Sequence, residues 1–238
     1  MGDIDKVVVI TGASRGLGAA LAKALDARGA RLVLGARSEA QLRSVAAACR
    51  AAVAVPGDVR DPDHHAALLE AALQQHGQLD VWINNAGLAI YGPATEASAE
   101  HIDAMIDTNV KGVIHGSIVA LRHMQSRQAG HILNIGSIAG KLHLPRESVY
   151  NASKWAVTGY TGTLRLEAER HGVKVTHVAP GGIDTPFWHN DHPKPFPSRI
   201  EPVRDFMSVG QVARSVVEVI DTPAEYAVPE LVMTPLIR

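Results

Sequence analysis

The chain has 238 residues, 46% of them hydrophobic and 20% charged, with a formal net charge of -1. That size suits one α/β domain with a large core, and the composition argues against intrinsic disorder. A near-zero charge argues against nucleic acid as a partner, no apolar run approaches the ~18 residues of a membrane span, and the single cysteine, Cys49, excludes an internal disulfide.

The six residues MGDIDK precede the apolar run VVVI, which leaves no room for a signal peptide, so a cytoplasmic protein is expected. KVVVI reads as a buried strand, TGASRGLG as a glycine-rich turn, and AALAKALDARGA as a helix closed by Gly29. The turn directly follows a strand and opens a helix, the context in which glycines let backbone N–H groups approach a pyrophosphate. Gly12, Ser14, Arg15, Gly16, Leu17 and Gly18 are therefore candidate cofactor contacts. No Gly-Lys-Ser/Thr follows, so this is not a nucleotide triphosphate loop.

RLVLGA is the second strand, followed by a helix with Ser38 at its N-cap position. At the end of such a strand an acid holds the ribose 2′-hydroxyl of NAD, whereas an arginine accommodates the 2′-phosphate of NADP. Here the strand ends Gly35-Ala36-Arg37, with Arg15 nearby in the glycine turn and Ser38 next in sequence. NADP(H) is favoured over NAD(H). Cys49 follows three alanines in the helix and reads as a small packed residue.

AVAVPGDV is a third strand, and DPDHHAALLEAALQQHG a helix with Asp61 as cap, Pro62 at its first position and Gly77 beyond its end. LDVWINNAG is a short central strand, residues 98–127 a long helix, HILNIGS a fifth strand, and residues 148–171 a second long helix. VKVTHVAPG is a sixth strand, Gly182 to about Phe206 an irregular Pro-rich stretch, SVGQVARSVVEVI a helix and ELVMT a seventh strand. Strict alternation predicts an α/β fold: a doubly wound, seven-stranded parallel sheet of Rossmann type with helices on both faces. With no linker, repeat or composition break, residues 1–238 read as a single domain. The twelve histidines show no HExxH-like spacing, and no metal site is expected.

The second long helix contains YNASK, which places Tyr150 and Lys154 on one helical face. Such a pair is either an ordinary amphipathic pair or an acid/base couple, because a neighbouring cation lowers a phenol's pKa. Ser137 ends the fifth strand at the carboxyl edge of the sheet, where open α/β folds bind ligands.

Together TGASRGLG, Asp58, NNAG (84–87), Asn109, Ser137, YNASK and PGGIDT (180–185) closely resemble the short-chain dehydrogenase/reductase family in its short, single-domain form. The resemblance spans nearly the whole chain. It implies a hydride transfer between NADP(H) and a carbonyl or alcohol substrate, with Tyr150 as general acid/base, Ser137 bonded to the substrate oxygen, and Asn109 holding a water that links Lys154 to solvent. Lys154 would also grip the nicotinamide ribose, Asp58 and Val59 would meet the adenine, and Asn85, Ala86 and Gly87 would wall the ribose. Pro180, Gly181, Ile183 and Thr185 would fix the nicotinamide amide. Poising a phenol of pKa ~10 near neutrality needs about 3–4 kcal/mol, much of it expected from Lys154. Asn109 could instead be a packing or capping residue.

By the same resemblance residues 183–206 form a substrate lid, in which Phe187, Trp188 and Phe196 suggest an apolar roof and four prolines limit the conformations. His143 and Leu144 are further candidate pocket residues, with Arg146 beside them. The expected substrate is a small aldehyde, ketone, semialdehyde or hydroxy acid; the C-terminus PELVMTPLIR lacks the HVNGG-like tail usual in ketoacyl thioester reductases of the family. A catalytically silent NADP(H) sensor is the alternative of a different class. The two long helices imply a homotetramer, with a dimer second.

Overall fold

The computed structural model describes residues 3–188 and 201–236. Seven strands form one sheet: β1 (Val7–Thr11), β2 (Arg31–Ala36), β3 (Ala52–Pro56), β4 (Val81–Asn84), β5 (Gly130–Ile135), β6 (Val173–Pro180) and β9 (Glu230–Met233). Their order is β3-β2-β1-β4-β5-β6-β9, and every pairing is parallel. The predicted seven-stranded doubly wound sheet is the one observed.

Burial on both faces explains why the strands read as continuous apolar runs. In β1, Val8 and Ile10 pack with Leu21 and Leu25 of helix α1 (Gly16–Asp26), Leu42 of α2 (Glu39–Ala47) and Val216 of α8 (Val209–Ile220). The alternate residues Val7 and Val9 face Leu68 of α3 (Pro62–His76), Ala120 and Met124 of α5 (Gly112–Arg127) and Leu164 of α6 (Ser148–Ala168). Each of these side chains is fully or almost fully buried, contributing ~1.5–3 kcal/mol for a Val- or Leu-sized group.

Helix α3 starts and ends as its sequence dictates. Asp61 accepts from the Asp63 N–H at 3.0 Å, Pro62 opens the helix, and Gly77 closes it at φ 77°. Ser38 stands at the N-cap of α2 but makes no side-chain capping bond. The long helix expected over 98–127 is α4 (Ala99–Ile106), a π-turn over Asp107–Lys111, and then α5. Cys49 lies just beyond α2, half-buried, its thiol directed to the Val45 carbonyl and its pKa raised by burial.

The stretch predicted as irregular has structure of its own. Strand β7 (Ile183–Asp184) pairs in parallel with β8 (Met207–Ser208), and α7 (Pro202–Asp205) precedes β8. The Met207 N–H donates to the Gly182 carbonyl at 3.0 Å, tying the end of this stretch to its beginning. Phe196 and the prolines at 193, 195 and 197 lie outside the described residues.

The strand order reverses between β1 and β4, and the carboxyl ends of both strands border one crevice, as expected at such a switch point. None of the described helices is long and apolar enough to cross a membrane. No group of three or more metal-ligating side chains occurs among the described residues.

Candidate active site

The crevice is a cleft of about 740 Å³ running from the β1–α1 turn to the β7 segment. At its head Gly12, Ser14, Arg15, Gly16 and Leu17 line the cavity. Gly12 and Gly16 have φ of 66° and 57°, the left-handed region that favours glycine. A Cβ on Gly12 would lie 2.7 Å from the Ala86 Cα, so the turn presses directly on the β4 loop. Gly18 does not line the cavity: a Cβ there would lie 2.3 Å from the Gly12 carbonyl oxygen, so this glycine serves close helix–turn packing. Thr11, unremarked in the sequence, locks the two loops. Its Oγ1 accepts from the N–H groups of Asn85 and Ala86 at 3.0 and 3.1 Å, while Asn85 Nδ2 donates to the Thr11 carbonyl at 2.9 Å.

Helix α1 begins at this turn with no side-chain cap and no acid in its first turn, so its N-terminal N–H groups are available to an anion. Farther along the same wall lie Arg37, Ser38, Asp58 and Val59. Burial would raise the Asp58 carboxyl, but hydrogen bonds and charge from Arg60, with Arg37 beyond, hold it below its ordinary value. The carboxylate at this end is thus committed to Arg60, and two arginines face the cavity. A phosphorylated ribose and a pyrophosphate fit that donor set.

Asn85, Ala86 and Gly87 form the middle wall, with Pro180, Gly181, Ile183 and Thr185 opposite. Ser137, Tyr150 and Lys154 converge between them. Ser137 caps a short turn, accepting from the Ala139 N–H at 3.1 Å, and its hydroxyl faces the Tyr150 phenol closely enough to favour the phenolate. Lys154 Nζ donates to the Ile135 carbonyl at 3.1 Å and stands 5.7 Å from the centre of the Tyr150 ring. Helix α6 delivers both side chains to one face, as the i, i+4 spacing requires.

The electrostatics differ from expectation. Burial pushes the Tyr150 phenol well above its ordinary value, opposed by the nearby Ser137 hydroxyl and reinforced by the Glu147 carboxylate. Burial pushes the Lys154 ammonium down to about 8. Lys154 alone therefore does not poise the phenol near neutrality; desolvation of both groups outweighs their attraction.

Asn109 is fully buried in the π-turn and does not line the cleft. Its Oδ1 accepts from the Leu88 N–H at 2.9 Å, and its Nδ2 donates to the Leu88 carbonyl at 2.8 Å and to Ser153 Oγ at 3.1 Å. With its side chain fully engaged, it fixes the β4–α4 loop against α6.

At the far end the cleft is aromatic. Leu144, Phe187 and Trp188 line it, joined by Tyr91, Phe206 and Glu147, which the sequence reading did not single out. Tyr91 stacks on Trp188 at 5.8 Å and meets Tyr150 edge-on at 5.9 Å. Tyr91 lies in a loop without periodicity, and Glu147 reads as a surface charge in PRES. His143 is a correction: it lies outside the cleft, stacked at 5.7 Å on the half-exposed Trp155, in a separate shallow recess. Arg146 also lies outside, on backbone at φ 68°.

The sequence model of the short chain dehydrogenase family matches residues 6–195. An uncharacterized oxidoreductase of Staphylococcus saprophyticus is 35% identical over 236 residues, covering 97% of this chain and 96% of the relative. Among solved structures, an alcohol dehydrogenase of Thermococcus sibiricus in complex with 5-hydroxy-NADP superposes with a TM-score of 0.86 at 28% identity, covering 96% of each chain. The closed form of a serine dehydrogenase in complex with NADP+ gives a TM-score of 0.87 at 29% identity, covering 95% of this chain and 94% of that one.

Proposed function

The chain belongs to the short-chain dehydrogenase family, and from that premise we propose that it is an NADP(H)-dependent oxidoreductase interconverting a small alcohol and its carbonyl. The observation that carries this reading is the convergence of Ser137, Tyr150 and Lys154 on one wall of a cleft whose other end presents Arg15 and Arg37. The two solved relatives bound to NADP+ or a hydroxy-NADP support the same cofactor.

The dinucleotide, when bound, supplies the hydride donor or acceptor at the substrate carbon. The protein's own groups handle the proton and the geometry. Gly12, Ser14, Gly16 and Leu17 would hold the pyrophosphate at the start of α1, and Arg15 and Arg37 the 2′-phosphate. Asp58 and Val59 would border the adenine. Asn85, Ala86 and Gly87 would stand beside the ribose, and Pro180, Gly181, Ile183 and Thr185 beside the amide. Tyr150 Oη gives its proton to the carbonyl oxygen in reduction and takes one from the hydroxyl in oxidation. Ser137 Oγ–H donates to that oxygen as negative charge gathers on it. Lys154, charged in most molecules at pH 7, favours the phenolate and replenishes Tyr150. Asn109 acts through Leu88 and Ser153 as a positioning residue.

We further propose that pairing of α4–α5 and α6 across subunits forms a homotetramer. Ile102, Ile118, Trp155 and Leu166 leave large apolar side chains exposed on those helices. Light scattering at micromolar concentration tests it; a monomer mass rejects it.

For the activity, the test is NADPH oxidation at 340 nm against a panel of small aldehydes and ketones, with NADH as comparator. The expected result is turnover with kcat/KM favouring NADPH by roughly tenfold or more, the value of one charge-assisted phosphate contact. Preference for NADH would reject the roles given to Arg15 and Arg37.

A further inference from the structure

Glu147 sits at the substrate end of the cleft, 8% exposed, three residues before Tyr150. It occupies the N-cap position of α6 yet makes no side-chain capping bond. Its carboxylate accepts no hydrogen bond and meets no cation among the described residues, and burial alone lifts its pKa to about 7. Its charge is felt by the phenols of Tyr91 and Tyr150, both of which it pushes upward. An unpaired carboxylate in such a place is costly, because desolvation is not repaid by any partner in the fold.

Resting on the oxidoreductase reading above, we propose that Glu147 is the receptor for a positively charged nitrogen on the substrate, so that the enzyme acts on amino alcohols and amino carbonyls and rejects carboxylates. The surrounding walls suit that cation. Tyr91 and Trp188 lie parallel, 7° apart in plane, and Phe206 packs 5.2 Å from Trp188. Aromatic faces attract an ammonium group while excluding water from it. Among the described residues, no cation at this end awaits an anion. Lys154 is committed to the Ile135 carbonyl and to the Tyr150 side of the cleft, and Arg146 lies outside it. A substrate carboxylate would thus face Glu147 with no described residue to compensate it, which narrows the proposed class by excluding hydroxy acids. The ammonium takes no part in the bond changes. By neutralising Glu147 it removes one of the influences that hold the Tyr150 proton in place.

The test compares three molecules built on one carbinol: 1-amino-2-propanol, 1,2-propanediol and lactate, each with NADP+ at pH 7.5. The expected kcat/KM favours the amino alcohol over the diol by about 30-fold, the effect of one charge-assisted hydrogen bond in a dry site. Lactate should fall below both. In Glu147→Gln the amine-to-diol ratio should collapse toward one, mainly through KM of the amine. A second readout needs no turnover: 1-amino-2-propanol should raise the melting temperature of NADP+-bound wild type, but not of Glu147→Gln. Equal or greater preference for the diol or lactate overturns the proposal, as does a Gln variant that keeps the amine preference. If none of the three turns over, melting decides: protection by the amine that depends on Glu147 sustains the proposal, and its absence overturns it. The oxidoreductase reading itself fails separately, if no carbonyl on the wider NADPH panel reacts.

Discussion

Replacing Asn109 with alanine distinguishes a positioning residue from a chemical one. The substitution deletes an acceptor for the Leu88 N–H and two donated bonds, to the Leu88 carbonyl and to Ser153 Oγ. Two lost hydrogen bonds at about 1 kcal/mol each, plus an orphaned backbone N–H at about 1–2 kcal/mol, give about 3–4 kcal/mol of lost stability. For a chain of this size, each kcal/mol is about 2–4 °C of melting temperature, so Asn109→Ala should melt roughly 6–16 °C below wild type. Turnover should fall as well, because Leu88 and Gly87 line the cleft and lose their anchor. Differential scanning fluorimetry on both proteins, with steady-state kinetics on the same samples, reads both effects. A melting temperature within about 2 °C of wild type, less than one lost hydrogen bond costs, would refute the reasoning whatever happens to activity. The Asn109 side chain would then act on the chemistry directly rather than through the loop.

Lys154→Met should abolish turnover yet stabilise the fold. With a folded pKa of about 8 against ~10.4 in a free chain, the native state disfavours the ammonium by about 3 kcal/mol at pH 7, less about 1 kcal/mol for the lost bond to Ile135. The unfolded chain binds the extra proton between these two values, so wild-type stability rises with pH from about 8 to ~10.4 and the variant's advantage disappears there. Melting curves at pH 7 and pH 10.5 check this; equal melting at pH 7 would contradict the burial argument. Arg37→Asp should bring an acid to the end of β2 and reverse the dinucleotide preference, with kcat/KM for NADPH falling by roughly 10- to 100-fold relative to NADH. An unchanged ratio would place the 2′-phosphate elsewhere.

The sheet was legible because its signals are local and redundant. VVVI and RLVLGA are too apolar for anything but buried parallel strands, and Asp61-Pro62 and Gly77 mark their helix by backbone chemistry alone. The meeting of Tyr150 and Lys154 on one wall of the cleft was legible because i, i+4 spacing puts them together whatever lies around them. The electrostatics of that wall were not. Whether a lysine lowers a phenol's pKa depends on how dry the pair is, and burial comes from residues scattered over the chain, among them Tyr91 and Leu144. Glu147 and Tyr91 were missed for the same reason, since only the folded loops turn them toward the cleft. His143 was misplaced because a loop bordering a site has two sides, and this ring found Trp155 on the outer one. The π-turn at Asn109 left no trace in the helical periodicity on either side of it.

The most direct test of the central claim is Tyr150→Phe, which removes one oxygen from a buried ring and leaves its packing against Tyr91 and Phe187 intact. NADPH binding by the variant should match wild type within about twofold, while kcat for carbonyl reduction should fall by at least ~10²-fold, the contribution of a positioned general acid. A variant that still reduces carbonyls at near wild-type kcat would contradict the account, since the proton would then come from another group.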